Sequence, residues 1–238
     1  MVMNPLLEKQ GYKVLWNFVD QIHGIARAAL IQEHRDFLFS KPLVEFGVCH
    51  GGSLRSFKDI YSELTMPVNF WGFDSFEGLP VETRDENTIW HPGQFSRDGK
   101  PPKDLINAAG INLVKGWFND TLTRATSELI GQIAFGIVHF DCDTYSSTLE
   151  SWQWLLDYKL ITQGTIIIYD DWGAYLEKGC NEYDIGEAKA HNEISNTYGV
   201  KFEGLGRYSV HPDAYVVKIF RISDLNDHRN SSSDCIIF

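Results

Sequence analysis

The chain has 238 residues, 43% of them hydrophobic and 22% charged, which suits one large domain with a real core and excludes whole-chain disorder. Its formal net charge of −11 repels phosphate backbones, so nucleic acid is not an expected partner. No apolar stretch approaches the roughly 20 residues that span a bilayer, and residues 1–10 lack a signal peptide's apolar core, so no membrane partner is expected either. Cys49, Cys142, Cys180 and Cys235 are too scattered for a disulfide scaffold or a CxxC metal site, and the reducing cytoplasm is the expected compartment.

Residues 13–39 carry apolar positions at three- and four-residue spacing and predict one or two helices, broken at Lys41-Pro42. Leu43–Phe46 is a first strand, and the glycine-rich run from Gly47 to Ser53 follows it. Ser53 is placed to cap a helix reaching about Leu64. Val68–Phe73 is a second strand, ending at Asp74. Residues 79–104 then break the rhythm, holding four of the eight prolines and many charges, yet also Trp90, His91 and Phe95. A polar segment of that length reads as a lid or binding loop, or as a plain surface insertion.

Ile111–Gly116 predicts a third strand, Asn119-Asp120-Thr121 helix caps, and Ile133–Phe140 a fourth strand apolar enough for the inside of a parallel sheet. A helix over about 145–159 leads to the fifth strand, Thr165–Tyr169, and a further helix covers 183–198. The runs 201–209 and 214–221 have no helix between them and predict an antiparallel hairpin at the sheet edge. The division expected is N-terminal helices over 1–40 on the substrate or oligomer side, an α/β domain over 41–222 with the insertion 79–104, and a polar tail over 223–238. The aromatics near the N-terminus are compatible with a homodimer or a higher homo-oligomer. The final Cys235-Ile236-Ile237-Phe238 fits a prenylation box, but no polybasic patch precedes it and chance matches of four residues are common.

Strands alternating with helices give an α/β fold with a mostly parallel sheet, helices on both faces and ligands beyond the carboxyl ends of the strands. Three strand ends carry chemistry. Glu45 precedes Gly47, and Gly51 follows, so the G-x-G-x-x-G dinucleotide fingerprint fails. A carboxylate there opposes a pyrophosphate and suits a cationic ligand; an incidental Glu beside a glycine turn would look the same. Asp74, followed by Ser75 and Phe76, lies 22 residues after Gly52 and is placed to accept ribose hydroxyls, as in nicotinamide enzymes too. Asp141 and Asp143 end the fourth strand, and Asp170 and Asp171 the fifth. Like charges in one cleft need a cation or protons, and an all-oxygen set favours Mg²⁺ or Ca²⁺ over zinc. Acids that merely cap the following helices are the alternative.

Taken together and in order, VEFGVCHGGS, FWGFDSFEGLP, VKGWFNDTL, HFDCDTYSST and GTIIIYDDW resemble the TylF/MycF-type macrocin O-methyltransferase family over roughly residues 40–175. The resemblance implies a Rossmann-like class I methyltransferase with a seven-stranded, mostly parallel sheet. It implies Mg²⁺-dependent transfer of a methyl group from S-adenosylmethionine to a hydroxyl of a small molecule, often a sugar of a natural product. Carried across by motif, Glu45, Gly47, His50, Gly51, Ser53, Asp74, Ser75, Phe76, Gly116 and Asp141 would line the cofactor pocket. Asp141, Asp170 and Asp171 would hold Mg²⁺. Asp141 is the first candidate for the base and His139, two residues earlier on the strand, the second, although a strand His is commonly a core residue. The family's glycine between the two acids is Cys142, and the lysine base of the more distant catechol O-methyltransferase has no match at Thr144. A metal-independent methyltransferase and an NAD-binding oxidoreductase are the alternatives, the second opposed by Glu45 and the missing glycine.

Overall fold

The computed structural model describes residues 21–81, 90–172, 182–209 and 216–225. Seven strands form one sheet in the order β3-β2-β1-β4-β5-β7-β6. They are β1 (Leu43–Phe46), β2 (Phe70–Asp74), β3 (Ile111–Lys115), β4 (Ile137–Phe140), β5 (Ile166–Trp172), β6 (Val200–Ser209) and β7 (Val216–Leu225). The first five pair in parallel, and β7 runs antiparallel between β5 and β6, so the expected edge hairpin is present. The chain order reverses between β1 and β4, which is where an open α/β sheet leaves a crevice for ligand.

The helices are α1 (described over 21–33), α2 (Arg35–Leu38), α3 (Gly52–Glu63), α4 (Phe118–Thr121), α5 (Arg124–Leu129), α6 (Tyr145–Asp157) and α7 (Gly186–Tyr198). The buried residues His23, Arg27, Leu30 and Ile31 fall on one helical stripe of α1, which is why the helix lies against the domain. Several boundaries differ from the sequence reading. Gly51, left-handed at φ 75°, is the N-cap of α3, so Ser53 lies inside the helix and does not cap it. Fourth-strand pairing begins at Ile137 rather than Ile133. Trp117 precedes α4 and Thr123, whose side chain accepts from Thr126 N–H, caps α5, so Asn119-Asp120-Thr121 are helix interior. The strand β7 continues to Leu225, past residue 222. Residues 1–20, residues 82–89 of the 79–104 segment and the Cys235–Phe238 box lie outside the described residues.

Alternation along the strands divides the core in two. One side holds Val44, Phe46, Phe140, Trp152 and Tyr169; the other holds Leu43, Phe57, Ile137 and Ile168 together with Leu30 and Ile31 of α1. On the first side the rings of Phe73, Phe46, Phe140 and Tyr169 stack in a row across β2, β1, β4 and β5, with centroids 5.6, 5.5 and 5.1 Å apart. They are also register partners in the parallel ladders. Such cross-strand packing pins register. The residue that follows each ring in the chain is Asp74, Gly47, Asp141 or Asp170, so the aromatic row sets four residues of interest level at the sheet's carboxyl edge.

Candidate active site

A cavity of about 730 Å³ opens at this edge. Of the expected site residues, Gly47, Asp74, Ser75, Gly116, Asp141, Asp170 and Asp171 line it. Glu45, His50, Gly51, Ser53, Phe76 and His139 do not. Glycine at 47 is required: its φ is +88°, and a Cβ there would lie 1.8 Å from the Asp141 carbonyl oxygen. The tips of β1 and β4 therefore close to backbone contact, and Asp141 N–H donates to Phe46 O at 2.9 Å.

Asp74 organises the glycine loop. Its Oδ2 accepts from Val48 N–H at 2.8 Å and Cys49 N–H at 2.7 Å, and its Oδ1 accepts from Phe76 N–H at 2.6 Å. One carboxylate thus ties the loop after β1 to the turn after β2 while facing the cavity. Phe76 and Cys49 both sit at positive φ, 59° and 46°, in these turns. Cys49 is no ready nucleophile: burial, with Asp74 and Asp141 nearby, pushes its thiol up to about 11.

The acids gather as the sequence suggests. Ligand oxygens of Asp141, Asp170 and Asp171 lie within 4.8 Å of one another. Asp170 and Asp171 are consecutive in a strand, yet both face the cavity, because the pairing of β5 with β7 shifts register between Tyr169 and Trp172. Burial, reinforced by Asp170, holds the Asp141 carboxyl well above the usual range. Burial and the neighbouring Asp143 do the same to Asp171. Glu187, at the start of α7, is fully buried and accepts Asp171 N–H at 3.0 Å; burial and Asp171 raise its pKa as well. Asp170 is the exception. Burial alone would raise it, but His139, His23 and Arg27 outweigh burial and bring it down to about 2.

Behind the acids lies a buried charged row. Glu45 and His139 are direct cross-strand partners, both fully buried, with His139 Nδ1 3.0 Å from Glu45 Oε1. His139 Nε2 lies 3.5 Å from Asp170 Oδ1. From α1, Arg27 Nη2 and His23 Nδ1 approach the same oxygen at 3.7 and 3.9 Å. Arg27 also donates to Ser53 Oγ at 3.2 Å and covers the Phe57 ring. The sequence reading groups Asp141, Asp170 and Asp171 but misses Arg27 and Glu187, which carry no signal in the sequence.

The outer wall is aromatic. Trp90 and Phe95, edge to face at 5.3 Å, come from the 79–104 segment, and Trp117 and Phe118 follow Gly116. That segment folds back on the turn after β2: Leu79 N–H donates to Gln94 O, and Arg97 and Gly99 N–H donate to Phe76 O. Its described part therefore forms cavity wall. His50 is exposed beside Arg97, and His91 is exposed and bonded to Gln94. Tyr145 donates to Glu193 at 2.6 Å, away from the cavity.

The family model for TylF, macrocin-O-methyltransferase, matches residues 36–198. The chain belongs to that family. This O-methyltransferase also shares its fold with solved structures. CalS11, a calicheamicin methyltransferase, superposes with a TM-score of 0.62 at 17% identity, covering 94% of this chain and 95% of that one. NovP, an O-methyltransferase, gives 0.55 at 19% identity over 84% of this chain and 79% of that one. TomG from Streptomyces achromogenes, solved with SAM, gives 0.50 at 11% identity over 84% and 79%. No curated protein matches the sequence. Among the described residues, no helix is long and apolar enough to cross a membrane.

Proposed function

We propose that this O-methyltransferase uses S-adenosylmethionine and a divalent ion, Mg²⁺ by the chemistry of its ligands, to methylate a hydroxyl of a small molecule such as a natural-product sugar. The observation that carries this is the convergence of Asp141, Asp170 and Asp171 within 4.8 Å on the wall of a cavity that also contains the glycine loop. The residues fit both groups. The three carboxylates of Asp141, Asp170 and Asp171 form an all-oxygen set that suits a hard ion. Gly47 and Asp74 line the cavity beside the glycine loop, where an adenosyl group would lie, and Asp74, held by Val48, Cys49 and Phe76 N–H, is the acid placed for ribose hydroxyls.

Asp141, Asp170 and Asp171 would hold a divalent ion, which would supply the charge that lowers the pKa of an acceptor hydroxyl. Asp141, on the wall between the glycine loop and Asp170, is the group placed to take the hydroxyl proton. S-adenosylmethionine, held along the glycine loop and Asp74, would supply the methyl carbon to the freed oxygen, with the electron pair of the broken C–S bond returning to its sulfur. Trp90, Phe95, Trp117 and Phe118 line the same cavity and would give the acceptor an apolar wall. The family match and the wall of carboxylates and aromatics support a hydroxylated small molecule as acceptor.

The test uses S-adenosylmethionine with a labelled methyl group and a panel of glycosides bearing free hydroxyls. EDTA-treated protein should transfer nothing, and added Mg²⁺ should restore transfer. Transfer untouched by chelation and by Asp170→Asn would remove the metal from the reading.

A further inference from the structure

Resting on that reading of the acidic site, we propose that His139 is a positioning residue: held by Glu45 on one side, its imidazole anchors Oδ1 of Asp170 and leaves Oδ2 for the ion. Three observations carry this. First, Glu45 and His139 are fully buried register partners on β1 and β4, and neither lines the cavity, although their ligand atoms and one of Asp141 lie within 4.8 Å of one another. Second, His139 Nε2 and Asp170 Oδ1 are both buried and, among the described residues, neither has a hydrogen-bond partner, yet they face each other at 3.5 Å. A buried polar atom left unpaired is costly, so each is the other's natural partner. Third, every rear contact to Asp170 uses the same oxygen: His139, Arg27 and His23 all approach Oδ1. The imidazole is itself locked, with Nδ1 on Glu45 and the Phe57 ring edge-to-face at 5.5 Å.

This is the arrangement that outer-sphere groups use to fix a metal ligand's rotamer, here built on a carboxylate ligand instead of an imidazole. It gives the acid of the glycine-loop motif a different task from cofactor contact. Glu45 orients His139, and His139 orients Asp170.

Two double variants of the full chain separate the task from mere structure. In Glu45→Gln/His139→Asn the short amide reproduces the Nδ1 side of the ring and keeps the contact to residue 45, but it cannot reach Asp170. In Glu45→Gln/His139→Gln the longer amide reaches the Nε2 position. Both remove the acid and the base as a pair, so the net charge beside the ion is the same in each. Mn²⁺ affinity, read by electron paramagnetic resonance, should fall by about 10–100-fold in the first and recover in the second. S-adenosylhomocysteine affinity, read by calorimetry, should stay at the wild-type value in both.

Loss of S-adenosylhomocysteine binding with Mn²⁺ affinity unchanged would overturn the proposal and make Glu45 a cofactor contact. Equal Mn²⁺ affinity in the two variants would overturn it as well. If neither variant folds, the wild type still decides. In histidine-labelled protein the His139 Nε2 resonance should move when Mg²⁺ is added, and a resonance indifferent to Mg²⁺ rejects the assignment. A wild-type protein that bound S-adenosylhomocysteine but no Mn²⁺ would instead defeat the metal reading from which this inference starts.

Discussion

Asp170 and Asp171 are adjacent in β5, yet both side chains reach the same cavity, because the strand slips register against β7 at that point. In a regular strand one of them would point into the opposite face. The bulge converts two consecutive acids into a two-oxygen platform, and Asp141 from β4 completes it. Three buried or half-buried acids in one place oppose folding unless something positive joins them.

An ion that binds there only in the folded state should therefore stabilise the protein. At a Mg²⁺ concentration of about 100 times its dissociation constant the gain is about 2.7 kcal/mol. That corresponds to roughly 5–11 °C in Tm for a chain of this size. Differential scanning fluorimetry with EDTA and with excess Mg²⁺ measures it, and Asp171→Asn should erase most of the difference. An identical melting curve in EDTA and Mg²⁺ would contradict the platform.

Asp74 offers a second handle. Its carboxylate accepts three backbone N–H groups, from Val48, Cys49 and Phe76. Asp74→Ala leaves those donors unpaired and loosens the two turns that border the adenosyl side. Hydrogen bonds to a charged group are worth about 1.5–3 kcal/mol each, so S-adenosylhomocysteine affinity should drop by tenfold or more, about 1.4 kcal/mol at the least. Calorimetric titration reads this directly. A variant that bound as tightly as wild type would show that the loop keeps its shape without Asp74.

Much of this site was legible before any coordinates because sequence order and space agree there. Phe73-Asp74, Phe46-Gly47, Phe140-Asp141 and Tyr169-Asp170 repeat one pattern, an aromatic core residue followed by a site residue, and parallel strands place such repeats side by side. The side on which Glu45 and His139 point was also implicit, since both sit one residue before the stacked rings. Their pairing was not, because it depends on β1 and β4 being neighbours, and sequence order alone does not bring the first strand beside the fourth. Arg27 and Glu187 were illegible for a similar reason. Each is a lone charged residue on a helix, and only packing turns it from a solvated group into a buried partner of the acids. The cap assigned to Ser53 failed because Gly51 can adopt a left-handed conformation that Ser53 would adopt only with strain.

Gly47 gives a test of the close approach of β1 and β4. Gly47→Ala would set a methyl group 1.8 Å from the Asp141 carbonyl oxygen at a φ of +88°. The left-handed strain alone costs about 1–3 kcal/mol, and the strand tips must also part. A loss of about 3 kcal/mol lowers Tm by roughly 6–12 °C. Displaced Asp141 should also weaken Mn²⁺ binding. Thermal melting and metal titration check both effects, and a variant with wild-type values for each would refute the contact.

His191 makes stability depend on pH. It lies on α7 among Tyr169, Trp172, Phe202 and Phe220, with Nδ1 3.2 Å from the Tyr169 hydroxyl. Burial, helped by Lys218, depresses its pKa to about 3 from the ordinary 6.5. The folded protein therefore keeps the ring neutral while the unfolded chain takes up a proton. Its contribution is fully present above about pH 6.5 and drains away as pH falls toward about 3, at about 1.4 kcal/mol per pH unit. The raised carboxyls of Asp141, Asp171 and Glu187 act with the opposite sign, since their folded pKa values are above the unfolded ones. They are common to wild type and His191→Leu, so the difference between the two isolates the histidine. Urea unfolding at pH 7, 6 and 5 should show the wild type losing ground to His191→Leu by about 1.4 kcal/mol for each unit below pH 6. A difference that stays constant across that range would mean the folded protein protonates His191 as readily as the unfolded chain does.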